Sequence, residues 1–269
     1  MPEQLGAVEL SALDLVVATA LVLVAGAASL ALRLRLAPKL AIAAARMVAQ
    51  LLLVGYVLEW VFAIDSPALL AAVLIFMIAA AGRAGVRRSS RTFRGAYAQS
   101  FVTLLLTGSL TTFAVTGVII GVEPWWRPQY VIPLLGMVLG NSLTGISLCL
   151  DTLLESLSDD RERVELELSL GATRWEAVRE PLTRAVRRGM VPILNAMTVA
   201  GIVSLPGMMT GQILQGASPL QAVKYQIVIF FMLAASTSLG CTVTALLVFR
   251  TLFNERHQLQ AELIVKRGD

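Results

Sequence analysis

The run Tyr130-Val-Ile-Pro-Leu-Leu-Gly-Met-Val-Leu-Gly-Asn-Ser-Leu-Thr-Gly-Ile-Ser-Leu-Cys-Leu150 contains no charged residue. Coiled as a helix rising 1.5 Å per residue, it is long enough to cross about 30 Å of hydrocarbon. The rest of the chain has the same character. Of its 269 residues 57% are hydrophobic and 15% charged, and the mean hydropathy is +0.75, well outside the range of soluble domains. Working outward, further apolar runs cover Leu13–Leu32, Leu40–Val61, Ser66–Gly82, Phe101–Gly121, Met190–Met209 and Ala222–Phe249. The expectation is an all-α integral membrane protein: a polytopic bundle of about seven transmembrane helices forming one domain over residues 1–269.

Loops rich in Lys and Arg stay on the cytoplasmic side of a membrane. Nineteen of the 22 basic residues fall in one alternate set of segments: Arg33 to Lys39, Arg83 to Arg94, Arg161 to Arg188 and Arg250 to Arg267. Only Arg127 lies in the opposite set, while Arg46 and Lys224 lie within or at the ends of spans. This bias predicts the N-terminus outside and the C-terminus inside. It also accounts for the net charge of +4 through insertion and anionic lipid headgroups, without a nucleic-acid partner. The segment before the first span carries Glu3 and Glu9 and no cation, the reverse of a cleaved leader, so the first span is expected to remain. Cys149 and Cys241 sit in apolar surroundings without a CxxC spacing and read as small packing residues.

The longest cytoplasmic loop, about 151–189, has internal order. Leu154, Leu157, Val164 and Leu168 recur at helical spacing, with acidic residues on the other faces, so the fifth span is expected to continue beyond the membrane as an amphipathic helix. Gly171 stops it. Thr173 followed by Glu176 is a capping-box pattern for a new short helix bearing Trp175, and Pro181 predicts a break before the basic stretch Arg184 to Arg188. A helix–Gly–helix at this place suits a docking site for a soluble partner. The chain has no GxxxxGK[ST] phosphate loop, so any ATP and Mg²⁺ would be bound by a separate chain and no cofactor by this one.

Glu165-Leu-Glu-Leu-Ser-Leu-Gly-Ala-Thr173 resembles the coupling-helix loop of ABC-transporter permeases, in which a Glu six residues before a Gly precedes the segment that fits a groove of the ATPase. Pro181 follows the Gly more closely than in typical importers. Ser204-Leu-Pro-Gly-Met-Met-Thr-Gly-Gln-Ile-Leu214, Arg46-x-x-x-Gln50-Leu51, Gly82-Arg-Ala-Gly85 and Pro133-Leu-Leu-Gly-Met-Val-Leu-Gly-Asn141 together resemble the FetB-like permease family. These are membrane subunits of iron-export ABC systems, related to a plant aluminium-tolerance permease. The resemblance implies a homodimeric permease in the bacterial inner membrane, partnered by a cytoplasmic ATPase and exporting iron or another metal. Glu165, Leu168, Gly171, Ala172, Thr173 and Trp175 would then couple to the ATPase.

The residues themselves qualify the substrate. A hard or borderline metal ion favours carboxylates, imidazoles or thiolates, yet the one His, His257, lies in the tail, and Glu59 and Asp65 lie at an outer end. The groups near mid-bilayer are neutral: Gln50, Thr103, Thr107, Thr111, Asn141 and Asn195. Gln50 and Asn141 should face the bundle or a wet cavity, because a primary amide in hydrocarbon must find a partner. The Thr ladder and Gly136-x-x-x-Gly140 read as packing surfaces. Arg46 is divided evenly between snorkelling and a substrate-facing role. Pro206 and Gly207 should interrupt a span as an outer gate, with Met208, Met209 and Gln212 beside it; the two Met are weak candidates for a soft metal and better ones for apolar packing. Export of an anionic or nucleotide-sugar-like solute is the alternative. An ion-coupled secondary transporter would need a titratable midplane residue, and this chain offers only Arg46 and Glu59, both off-centre.

Overall fold

A computed structural model describes residues 11–64, 66–254, 256 and 258–266; Glu3, Glu9, Asp65, His257 and Arg267 lie outside them. Nearly all of it is helix. The elements are α1 (Ala12–Ala31), α2 (Ala37–Ile64), α3 (Pro67–Arg88), strand β1 (Arg91–Thr92), α4 (Ala96–Ala114) prolonged by a π-helical turn Val115–Ile119, α5 (Pro128–Asp159), α6 (Arg161–Ser169), α7 (Arg174–Val199), α8 (Gly207–Leu214), α9 (Pro219–Leu252) and strand β2 (Val265–Lys266). Six of these helices, α1 to α5 and α9, are long and apolar enough to cross a membrane.

The expected span Met190–Met209 is not one helix. α7 ends at Val199, Gly201 takes a left-handed φ of +80°, and the amides of Gly201 and Ser204 turn back to the Ser204 and Val199 carbonyls. Pro206 then caps α8, so the break opens several residues before the expected Pro206–Gly207 site. Nor does Pro181 break the chain: Pro181 and Pro192 both lie inside α7. Proline there forfeits a backbone hydrogen bond, but Ala177, Val178, Leu182 and Ala185 on either side are buried against α5 and α9, and that packing holds the helix through it. The new helix after Gly171 is therefore long. The short one is α6, separated from α5 by a kink at Asp160 (φ −94°, ψ 22°).

Helices α5, α7 and α9 form the centre. Val178 and Leu182 of α7 share a core with Leu154 and Leu157 of α5 at one end, whereas Ile193 meets Leu134 and Val138 near the other. α7 thus runs antiparallel along most of α5. It fails as an apolar span because its first fifteen residues carry Arg174, Glu176, Arg179, Glu180, Arg184, Arg187 and Arg188. At the crossing the backbones touch: a Cβ on Gly189 would stand 2.7 Å from the Gly145 carbonyl oxygen and 2.6 Å from Cys241 Sγ. Cys149 and Cys241, far apart in sequence, fill this point together, with Cys149 Sγ 3.6 Å from the Cys241 carbonyl oxygen.

Around this centre α3 and α4 pack through small residues. Gly82 lies under the Phe101 backbone, and Gly85 lies beneath Leu143 with its carbonyl accepting from Ser147 Oγ at 3.1 Å. The Thr ladder faces inward as a packing surface: Thr103, Thr107 and Thr111 are buried, and the Thr107 and Thr111 hydroxyls donate to the carbonyl one turn back, each at 2.8 Å. The α1–α2 hairpin is different. α2 buries Val61 near its end, in the core shared with Leu70 and Val131, and is exposed along most of its length.

Candidate functional site

At the α6 end of the bundle the chain builds a rigid elbow. α6 closes as a Schellman motif: Gly171 N–H and Ala172 N–H donate to the Leu168 and Glu167 carbonyls, each at 3.1 Å, and Gly171 adopts φ +95°. Glycine takes that left-handed conformation without the steric cost of a Cβ. α7 then begins on the expected capping box. Thr173 Oγ1 accepts from Glu176 N–H at 3.3 Å, and Thr173 N–H donates to Glu176 Oε2 at 2.8 Å. The Thr173 N–H bond, and then the Thr173 hydroxyl donating to the same oxygen at 2.8 Å, hold the Glu176 carboxyl below the usual carboxylate range. Glu180 is lowered as well, first by the Arg184 guanidinium and then by Arg163. Because Arg163 belongs to α6, its ion pair with Glu180 ties the two arms together.

The expected coupling residues divide by exposure. Leu168 packs against the core of the elbow, and Glu165 is half-buried, accepting from Arg161 Nε at 2.6 Å. Gly171 and Thr173 form the exposed tip, with Ala172 half-buried between them. Trp175 is 48% exposed and stands edge-on to Phe249 at 5.7 Å. Two residues that sequence reasoning passed over are more prominent: Leu166 and Leu170 are 58% and 79% exposed. They lie on the opposite side of α6 from Val164 and Leu168, a placement readable from the spacing once α6 is recognised as its own helix.

The C-terminal tail also joins this surface. Leu259 is buried in the same core as Leu157, Val164 and Val178, Gln260 N–H returns to the Leu252 carbonyl at 2.8 Å, and β2 pairs antiparallel with β1. Arg91 of β1 donates to Asp159 at 2.8 Å and to the Glu155 carbonyl at 3.1 Å, placing a cation at the C-terminal end of α5 where the helix dipole favours it. Between α6 and the tail lies a polar cleft of about 750 Å³ whose walls include Arg161, Glu165, Arg256 and Glu262.

The residues expected along a membrane path are not gathered in one cavity of a single chain. Arg46 and Gln50 are exposed on α2 and Asn195 is exposed on α7. Asn141 is half-buried on α5, its amide nitrogen donating to the Met137 carbonyl at 3.0 Å; nearby, Arg88 of α3 reaches Thr144 Oγ1 at 3.4 Å. Met208 and Gln212 of α8 line an apolar cleft of about 450 Å³ at the far end, with Ile120, Pro133, Met137 and Tyr225. Met208 packs there with Ile193 and Ile229, the use of methionine that flexible core filling predicts. Pro206, Gly207 and Met209 lie beside it, exposed or half-buried. Among the described residues no cluster of three His, Cys, Asp or Glu is placed to hold a metal ion.

Comparison with known proteins adds a family. The uncharacterised protein family UPF0014 matches residues 12–253. The UPF0014 membrane protein YjkA of Bacillus subtilis is 37% identical over 221 residues, covering 81% of this chain and 86% of the relative. The protein named "Probable iron export permease protein FetB" of Escherichia coli is 33% identical over 222 residues, 82% and 84% of the two chains. Protein ALUMINUM SENSITIVE 3 of Arabidopsis thaliana is 31% identical over 214 residues, 80% and 77%. No solved structure matches.

Proposed function

We propose, on the premise that this chain belongs to the UPF0014 family of membrane proteins, that it is the membrane-spanning subunit of an ABC transporter in a bacterial inner membrane. It works as a homodimer with a separate cytoplasmic ATPase and exports iron or another metal. The observation that carries the reading is the elbow. A nine-residue helix, ended by a left-handed glycine and rigidly joined to a helix that re-enters the bundle, is the shape a force-receiving contact needs. Its exposed apolar tip, Leu166, Leu170 and Trp175, is surface that water disfavours and a protein partner would cover.

Seven crossings, with the elbow on the cytoplasmic side, fit this reading. The six apolar helices, with the charge-free end of α7 continued through the Gly201 turn into α8 as a broken seventh, make up the number, and the elbow, the tail and the Arg-rich end of α3 lie together at the basic end, as the positive-inside rule requires. The metal itself rests on the relative named as an iron export permease. The neutral path residues favour a chelated metal over a bare ion, since a bare ion needs anionic ligands to replace its water.

The test is co-reconstitution of the chain with its ATPase in vesicles, following iron with and without ATP. ATP-dependent iron movement that Gly171→Leu abolishes, with membrane insertion intact, is the expected result. ATP hydrolysis without iron movement would redirect the substrate to an anionic solute. No association with an ATPase would refute the transporter reading.

A further inference from the structure

Gln50 has no hydrogen-bond partner among the described residues and lies exposed on α2, well inside the membrane-spanning stretch. Lipid offers it none, and an unpaired primary amide in hydrocarbon is costly. A second open face lies on α5. Gly140 is exposed, Asn141 and Thr144 are half-buried, and a Cβ on Gly140 would meet nothing within 4 Å. The Asn141 amide nitrogen is satisfied within its own helix, which leaves its oxygen free to accept.

The two amides lie at one depth. On the dimeric transporter reading Lys39, near the start of α2, and Asp151 of α5 both lie at the basic end, so they provide a common level. Gln50 lies eleven residues from Lys39, and Asn141 ten residues from Asp151; at 1.5 Å per residue both sit about 15–17 Å from that end. Arg46 and Thr144, each seven residues from the same marks, fall about 10 Å from it, where Arg88 reaches Thr144. Within one chain, α2 and α5 meet near Val61 and leave both faces uncovered.

We infer that the face of α2 carrying Arg46 and Gln50 packs on the Gly140–Asn141–Thr144 face of α5 in a second copy of this chain, with Gln50 of one copy donating to Asn141 of the other. The twofold axis repeats the contact, because a closed dimer uses the same surface on both subunits. Gly140 lets the helices approach closely. The path is incomplete in one chain: each copy supplies Arg46 and Gln50 to the other's Asn141. This inference rests on the dimeric transporter reading and specifies which helices join.

The experiment is disulfide trapping in membranes between two differently tagged copies, one carrying Gln50→Cys and the other Asn141→Cys, oxidised with copper phenanthroline. A second pair one turn away, Val54→Cys with Met137→Cys, covers the case in which a polar substitution disturbs insertion. Phe76→Cys on exposed α3 with Asn141→Cys is the control, and the native Cys149 and Cys241 are buried. The expected result is a product joining the two tags for both designed pairs and none for the control. Failure of both pairs while native mass spectrometry shows a dimer overturns this interface and leaves the transporter reading standing. A monomer bound to the ATPase overturns this interface and the homodimer it rests on.

Discussion

Replacing Gly189 by Ala should destabilise the centre of the bundle, because the added methyl has no free volume to enter. It would stand 2.6 Å from Cys241 Sγ, 2.7 Å from the Gly145 carbonyl oxygen and 3.0 Å from Cys149 Cβ. Overpacking a dense interior costs about 1–3 kcal/mol, and the upper end applies because one close neighbour is backbone, which cannot step aside. Gly145→Ala is the same contact seen from α5, with Thr237 Cγ2 at 2.5 Å and the Gly189 carbonyl oxygen at 2.9 Å. The double variant should therefore cost less than the sum of the two. Gly240→Ala meets the flexible end of Ile146 at 3.0 Å and should cost under about 1 kcal/mol. Gly26→Ala, inside α1 and away from the proposed dimer contact, enters open space and gains helix propensity, roughly 0.5–1 kcal/mol in the stabilising direction. The assay is denaturation in detergent followed by circular dichroism. Cys241→Ala should not rescue Gly189→Ala, since the Gly145 oxygen remains. If Gly189→Ala and Gly26→Ala denature at the same point, the close crossing of α5 and α7 is wrong.

Leu170→Glu should abolish binding of the ATPase while leaving the melting of the chain unchanged, because the side chain is 79% exposed; co-purification with the ATPase reads the first and circular dichroism the second. Leu259→Ala should loosen the tail, since truncating a buried Leu costs about 2–5 kcal/mol and the short β1–β2 pairing is a weak tie by comparison; limited proteolysis of a C-terminal tag would show faster removal. Glu176 and Glu180 have carboxyls held below their ordinary value. Their contribution is fully present above the ordinary carboxylate pKa near 4.5 and is lost as pH falls through the depressed values. Hydrogen exchange at the elbow should thus be unchanged from pH 7 to 5 and quicken, after correction for the intrinsic rate, below about pH 4.

Much of this fold is legible in the sequence because lipid imposes a simple rule. Wherever about twenty residues are predominantly apolar a helix can span, and α1 to α5 and α9 follow from that alone. The rule fails at α7, where charge and apolarity share one continuous helix. Its first half is stabilised by Glu180–Arg184 and Arg163 pairing in water, and its second half by burial against α5. No window average captures such a helix. The capping box at Thr173 and the turn at Gly171 were readable because both use local chemistry. The meeting of Cys149, Cys241, Gly145 and Gly189 was not, since it depends on the register between three helices distant in sequence. The same limit hid the tail: Leu259 is an ordinary residue until β1 and the core of the elbow are seen to receive it.

The continuity of α7 bears on how the proposed transporter moves. A hinge at Pro181 would let the elbow swing without disturbing the membrane, but the helix passes through that residue with Val178 and Leu182 both buried against α5. A push on Leu166 and Leu170 is then carried along α7 as a rigid rod, because α6 is locked to it by Arg163 and Glu180. Gly189 of the rod lies against the backbone of Gly145, and the rod ends at the left-handed turn at Gly201. Motion delivered at the elbow must therefore appear as sliding at the glycine crossing and as displacement of α8, which lies against the cleft of Met137, Gln212 and Tyr225. A chain built this way would place its moving outer element after Gly201, and the bulk forbidden at Gly189 is what keeps the rod close enough to α5 to act on it.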